Sequence, residues 1–282
     1  MPESRLIIGG DDAESKMEGS QIMPGSRIGG RVGLAMVVAT AAVALVSAAC
    51  RADEDAFVAG TTRACSGCML AKARLKGRDL AGADLSGAKL AGAVFHRARL
   101  GGANFAGADL AGANFNKTDL KNAQFGGASV KGGMFYEADV SVGNLAHADL
   151  TEAKMGRARL VRTVFDGARL TEAILTGARL DDASLAGADL RRANLVGATL
   201  RHANLAGADL EDSGLIDAVM READLKGAKL AGADLFGADL TGADLTGADL
   251  SESRLSRAIL TDARLEGVNL KGALMTDGST HE

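Results

Sequence analysis

The chain has 282 residues, 47% hydrophobic and 3% aromatic, with 37 Gly, two Pro, one Tyr and no Trp. With so few rings an ordinary core built on large rings is not expected, and any core must be lined with Leu and Ala. The formal net charge of −4, from 32 basic and 36 acidic residues, argues against a nucleic-acid-binding protein and falls short of a surface acidic enough to imitate DNA.

Residues 1–52 read as a signal peptide with an N-terminal extension. Arg27 and Arg31 precede an uncharged apolar run, 33–49, that ends in small residues, with Ser47 and Ala49 spaced for a signal peptidase. The predicted location is therefore periplasmic or secreted. The alternative is an uncleaved anchor through residues 33–49, although the run is shorter than the roughly 20 residues a spanning helix wants. Residues 1–22 are long and polar for the start of a signal, and Met23 would make a more ordinary first residue. Cys50 follows Ser-Ala-Ala and raises lipidation as a further reading, but Ser47 stands where a lipobox carries Leu.

Residues 53–69 are expected to form an N-terminal cap containing Cys65-x-x-Cys68. There is no second CxxC for a four-cysteine zinc site, no His after Cys68 for haem attachment, and no βαβ setting for a thioredoxin-like motif. A disulfide between Cys65 and Cys68, formed in an oxidising compartment, is the most economical account, with free thiols next.

From residue 70 to 275 every fifth position is apolar, from Leu70, Leu75 and Leu80 through to Met275, without a slip of phase. Two residues earlier the residue is nearly always Ala, with exceptions that are mostly small too, and the residue between is mostly polar, as in Ala83-Asp84-Leu85. That triplet is a short strand with both apolar side chains on one face. The next two residues, often ending in Gly, supply a corner, because Gly accepts positive φ without steric cost. One pentad cannot bury its Leu alone, so successive pentads must coil and stack. Phe95, Phe115 and Phe135 are twenty residues apart, as are Phe105 and Phe125, with Phe165 forty further on. A twenty-residue coil of four pentads gathers them into two Phe columns on opposite walls. It also lines up Lys89, Asp109, Ser129, Asp149, Arg169, Asp189, Asp209, Lys229 and Asp249 outside, with Asp189 beside Asp209 the one repulsive step.

Repeats such as Ala-Asp-Leu-Thr-Gly-Ala-Asp-Leu, over about three quarters of the chain, resemble the pentapeptide-repeat proteins. The resemblance implies an all-β fold: a right-handed quadrilateral parallel β-helix, here about ten coils and roughly 50 Å long. Val94, Val164, Ile174, Val219 and Ile259 break the pattern, being apolar at the outward polar site, and Phe236 stands at an outward corner. Val164, Ile174 and Phe236 are the candidate contact patch, against the background that scattered apolar surface residues are ordinary.

No catalytic, cofactor-binding or metal site is expected. His96, His147, His202 and His281 fall on different columns, and the outward Asp residues read as a solvated face. The nine-residue unit of a calcium β-roll is absent. Arg157, Arg159, Arg162, Arg169 and Arg179 make a basic zone; Asp224, Asp234, Asp239, Asp244 and Asp249 make a later acidic one. The tail, 276–282, is too short for a capping helix, so the last coil is expected to be weakly protected and to dock on a second copy. The leading expectation is a non-enzymatic exported scaffold for an unidentified protein partner or for envelope structure. Nucleic acid is not expected as a partner, and membrane association would need an uncleaved N-terminal segment or a lipidated Cys50. The alternative comes from the resemblance: some pentapeptide-repeat proteins imitate DNA and act on gyrase, which requires a cytoplasmic, acidic dimer.

Overall fold

The computed structural model describes residues 52–282; the anchor segment 33–49 and Cys50, with nearly all of the signal-peptide expectation, lie outside them. The described chain opens with one short helix, α1 (52–59), and then winds as a β-solenoid. Asp53, Glu54 and Asp55 stand in the first turn of α1, where carboxylates suit the positive end of the helix dipole. The helix ends at Gly60, which has φ +82°, and the Thr61 N–H closes it on the Ala56 carbonyl at 2.9 Å.

Helix α1 covers the start of the coil. Phe57 is fully buried as part of the core. Glu54 accepts the Met69 N–H at 2.7 Å, and Arg78 Nη1 donates to the Val58 carbonyl at 2.6 Å. The expected cap over 53–69 thus divides in two, because the coil starts earlier than residue 70. Ala64 already pairs in parallel with Asp84, and Met69 with Lys89. Cys65 takes the inward place of a central Leu and Cys68 that of the Ala; they are 2% and 1% exposed and joined as a disulfide with Cα atoms 5.3 Å apart.

Beyond that point each outward strand residue pairs in parallel with the residue twenty further on, from Ala64 to Leu274. Four such columns make four walls. The first runs through Asp84, Asn104 and so on to Arg264. The second runs from Met69 to Asn269, the third from Arg74 to Leu274, and the fourth from Asp79 to Ile259.

One pentad shows how its backbone is satisfied. Leu205 N–H donates to Asp224 O in the next coil at 2.7 Å and Gly207 N–H to Lys226 O at 2.8 Å; Asn204 N–H donates back to Ala183 O at 2.9 Å. Ala208 N–H closes the corner on Leu205 O at 3.0 Å, with Gly207 at φ 64°, as the third residue of a type II turn requires. That leaves the Ala206 N–H, and Asn204 Oδ1 accepts it at 3.0 Å. The same Asx bond recurs at Asp84, Asn144, Asp224 and Asp249. The outward Asp and Asn residues are therefore more than the solvated face read from sequence: they accept the one backbone donor that the coil leaves over.

The core is one continuous file of central Leu or Phe and flanking Ala, nearly all of it fully buried. Phe95, Phe115 and Phe135 stack with centroids 4.9 Å apart, and Phe105 on Phe125 at 4.8 Å. The two columns meet edge to face across the tube at 5.7–6.2 Å. Phe165 is buried in line with the second column, one Leu145 level beyond it.

At the far end the tail does more than trail away. Thr280 pairs antiparallel with Leu274, and Met275 N–H donates to Ser279 O at 2.7 Å. This return covers the third wall only. Leu265 stays 40% exposed, and Leu260, Val268 and Leu270 are only partly buried.

Candidate interaction surface

The three residues of the expected contact patch do not come together. Val164 is half-buried on the first wall, between Asn144 and Ser184, whereas Ile174 is 41% exposed on the third. Ten residues are half a coil, so the two face opposite ways. Phe236 is no bare apolar corner either, because the Arg254 guanidinium lies 4.4 Å and that of Arg257 5.5 Å from its ring centroid. A cation over a ring is a favourable contact in its own right, and here it shields the ring.

Ile174 instead belongs to a hollow of about 440 Å³ on the third wall. Met134, Lys154 and Ile174 are successive outward residues of that wall, and Asn116, Tyr136, Gly156 and Thr176 follow one another along the corner beside it. The gap in the corner is Gly156: a Cβ there would touch nothing closer than 3.7 Å. Tyr136 projects next to the gap, 39% exposed. Its N–H is held by Asn116 Oδ1 at 2.8 Å, and its hydroxyl accepts from Arg157 Nη1 at 3.3 Å.

The basic zone read from sequence is mostly neutralised. Arg159 pairs with Asp139, Arg162 with Asp182, Arg169 with Asp149 and Arg179 with Asp181, at 3.5–3.9 Å. Lys154 and Arg157, which line the hollow, have no carboxylate within 4.0 Å among the described residues. Glu137, beside Tyr136, is taken by Lys117 at 3.4 Å; the Tyr136 hydroxyl, and after it Lys117, hold its carboxyl below the usual value. Most of the later acidic zone is paired as well: Asp234 with Arg254, Asp239 with Arg221, and Asp244 with Lys226 and Arg264. Asp189, opposite Asp209, turns to Arg191 at 2.7 Å instead, which relieves the one repulsive step of its column. No group of three His, Cys, Asp or Glu gathers into a metal site among the described residues.

Tyr136, Met134, Lys154 and Gly156 went unnoticed in the sequence. Met134 was legible, being an apolar residue at the outward site two coils from Ile174 in the twenty-residue register. Gly156 was not, because its role is to omit a side chain.

A model of pentapeptide repeats matches residues 68–105, 98–133, 144–182, 178–213, 203–242 and 238–277. No curated protein sequence matches the chain. Among solved structures, HetL, a pentapeptide repeat protein involved in heterocyst differentiation regulation from the cyanobacterium Nostoc sp. strain PCC 7120, is 35% identical. The match covers 74% of this chain and 93% of HetL with a TM-score of 0.49. QnrB1, a plasmid-mediated fluoroquinolone resistance protein, is 22% identical over 57% of this chain and 84% of its own, with a TM-score of 0.42. A pentapeptide repeat protein from the Arabidopsis thaliana thylakoid lumen is 32% identical over 35% and 66% of the two chains, with a TM-score of 0.19. With the repeat model spanning most of residues 68–277 and the twenty-residue parallel ladder beneath it, the chain belongs to the pentapeptide-repeat family.

Proposed function

We propose that this protein is an exported, non-enzymatic scaffold that binds a protein partner on its third wall. The observation that carries the reading is the Tyr136 hollow, where the polar outward lattice gives way to apolar residues beside two cations, and no carboxylate among the described residues lines it. A buried, bonded Cys65–Cys68 pair supports an oxidising compartment, periplasmic or extracellular. The signal-like run at 33–49 agrees, with anchoring through that run or through lipidated Cys50 as the membrane-bound variant. A right-handed winding of about ten coils is part of this reading, since parallel strands connect that way in nearly all folds. The gyrase-directed alternative needs a free acidic surface, and the paired carboxylates at Asp234, Asp239 and Asp244 speak against it.

Cell fractionation with N-terminal sequencing tests the location. Processed protein in the periplasm or envelope is expected; unprocessed protein in the cytosol would overturn export and revive the gyrase reading. A photo-crosslinking residue in place of Tyr136 tests the interaction. It is expected to capture a protein that the same residue at Ser129, on the second wall, does not.

A second copy is the other proposed partner, docking at the last coil. Leu265 is exposed there, and the N–H groups of Leu260, Leu265 and Leu270 find no acceptor among the described residues. Such an open edge is a template for pairing. Sedimentation should give a dimer that Leu265→Lys converts to monomer; a wild-type monomer at high concentration would exclude it.

A further inference from the structure

We infer that the Tyr136 hollow recognises an extended acidic peptide segment carrying one aromatic or large aliphatic side chain. The inference rests on the scaffold reading and names its partner's chemistry. Met134 and Ile174 lie two strands apart on the third wall, about 10 Å, with Lys154 between them. A lysine in such a place lays its stem along apolar neighbours and keeps its ammonium at the rim. On the corner side, the Tyr136 ring forms one flank, and the missing side chain of Gly156 opens space for an incoming one. An apolar floor beside a rigid amphipathic ring is the kind of pocket that anchors a single side chain.

Charge selects the residues around that anchor. Lys154 and Arg157 are the two charged residues lining the hollow, and no carboxylate lines it. Glu137, beside Tyr136, is engaged by Lys117 at 3.4 Å, and Glu152, two residues before Lys154, by Lys131 at 3.8 Å. Two cations with no carboxylate within 4.0 Å among the described residues, beside an apolar floor, complement carboxylates on either side of an apolar residue. They are too few to track a nucleic-acid backbone, which calls for a basic stripe. The flat β wall, with neighbouring strands about 4.8 Å apart, offers an extended segment room to lie across it.

The test is a fluorescence-anisotropy titration of the full chain with a labelled Asp-Glu-Phe-Glu-Asp peptide. Two controls replace its acids by Lys or its Phe by Ala. Saturable binding of the first peptide is expected, at least about tenfold tighter than either control and weakened by added salt. Gly156→Leu, which fills the hollow, and the double change Lys154→Glu with Arg157→Glu should each weaken it at least about tenfold. All three positions are at the surface, and a Cβ at Gly156 makes only ordinary contacts, so an unchanged circular dichroism spectrum and melting temperature are expected for both variants. Equal binding by wild type and both variants, preference for the basic peptide, or no saturable binding up to about 1 mM would overturn the inference. If crosslinks from Tyr136 persist in that case, the scaffold reading stands and only the partner's chemistry is wrong.

Discussion

The inward position before each central residue is nearly always Ala, and several of its exceptions carry a physical reason or a cost. Thr118 and Thr163 are buried there, and their hydroxyls donate to Phe95 O at 2.9 Å and Val140 O at 3.0 Å. Ser213 and Ser253 sit in equivalent places with no partner for Oγ. A buried hydroxyl without a hydrogen bond is destabilising, so Ser213→Ala should raise stability by about 1 kcal/mol, read as an upward shift of the urea midpoint. Gly133 is the opposite case. A Cβ there would lie 2.8 Å from Val130 Cγ1 and 2.9 Å from Val130 O. Gly143 meets the same obstacle at Val140. Where Val takes the central place in these two pentads, its Cγ1 and its carbonyl together crowd the corner, and Gly stands beside it. Gly133→Ala, a change toward the commonest residue, should therefore cost about 1–3 kcal/mol of stability, read as a lower urea midpoint. Pattern alone would predict the reverse sign, because a five-residue template lists each position separately and omits the contact between neighbours.

At the scale of elements, the Phe ladder, the Cys pair and helix α1 differ in how openly the sequence displayed them. The two Phe columns were legible because their twenty-residue spacing is the coil itself, and the rings do stack at that spacing. Phe115 is the middle rung, touching Phe95, Phe105, Phe125 and Phe135. Truncating it to Ala should cost about 3–5 kcal/mol, measured by urea unfolding, and the loss should exceed that of Phe165→Ala, whose ring lies in none of these stacks. The start of the coil was harder to see, since Cys65 and Cys68 break the Leu and Ala pattern while filling the same inward places. Helix α1 gives little periodic signal in eight residues, and its role rests on tertiary contacts: Phe57 in the core, and Glu54 and Arg78 as ties. The hollow was half legible. Ile174 stood out as an apolar residue in a polar column, but Gly156 acts by absence and Tyr136 by a neighbour one coil away.

Across the whole molecule, carboxylates depressed by the lattice couple stability to pH. Arg191, by hydrogen bonds and charge, holds Asp189 at about 2, and the Thr246 hydroxyl, with its N–H and Lys226, holds Asp244 at about 2. Asp84, first through Ser86, and Asp249, first through the Ser251 N–H, are also lowered. At Asp239 burial pushes the carboxyl up, but the Thr241 hydroxyl and Arg221 outweigh it and leave it low. A carboxylate with a lower pKa folded than unfolded contributes stability that is complete above its unfolded value, near 3.8, and is lost as pH falls through the folded value. The urea midpoint should thus hold from neutral pH down to about 5 and fall steeply between pH 4 and about 2. A flat profile over that last interval would show that these bonds are not kept in solution.

The twenty-residue register has a consequence for how such a chain can change. Every wall repeats at that interval, so adding or removing one pentad does not lengthen or shorten the tube in place. It turns everything downstream by a quarter revolution and carries the column of Asp209, Lys229 and Asp249 onto a different side. Removing four pentads together keeps every compass direction and shortens the axis by one strand spacing, about 5 Å. Deletion of 181–200 should accordingly leave a cooperatively folding protein with the Tyr136 hollow intact, whereas deletion of 181–185 should strand the arginine of the Arg254–Asp234 pair and its neighbours on a new heading relative to Ile174. A pair of spin labels, one beside Ile174 and one beside Arg254, would separate the two by the distance between them. Length in this protein comes in whole coils, and orientation comes in pentads.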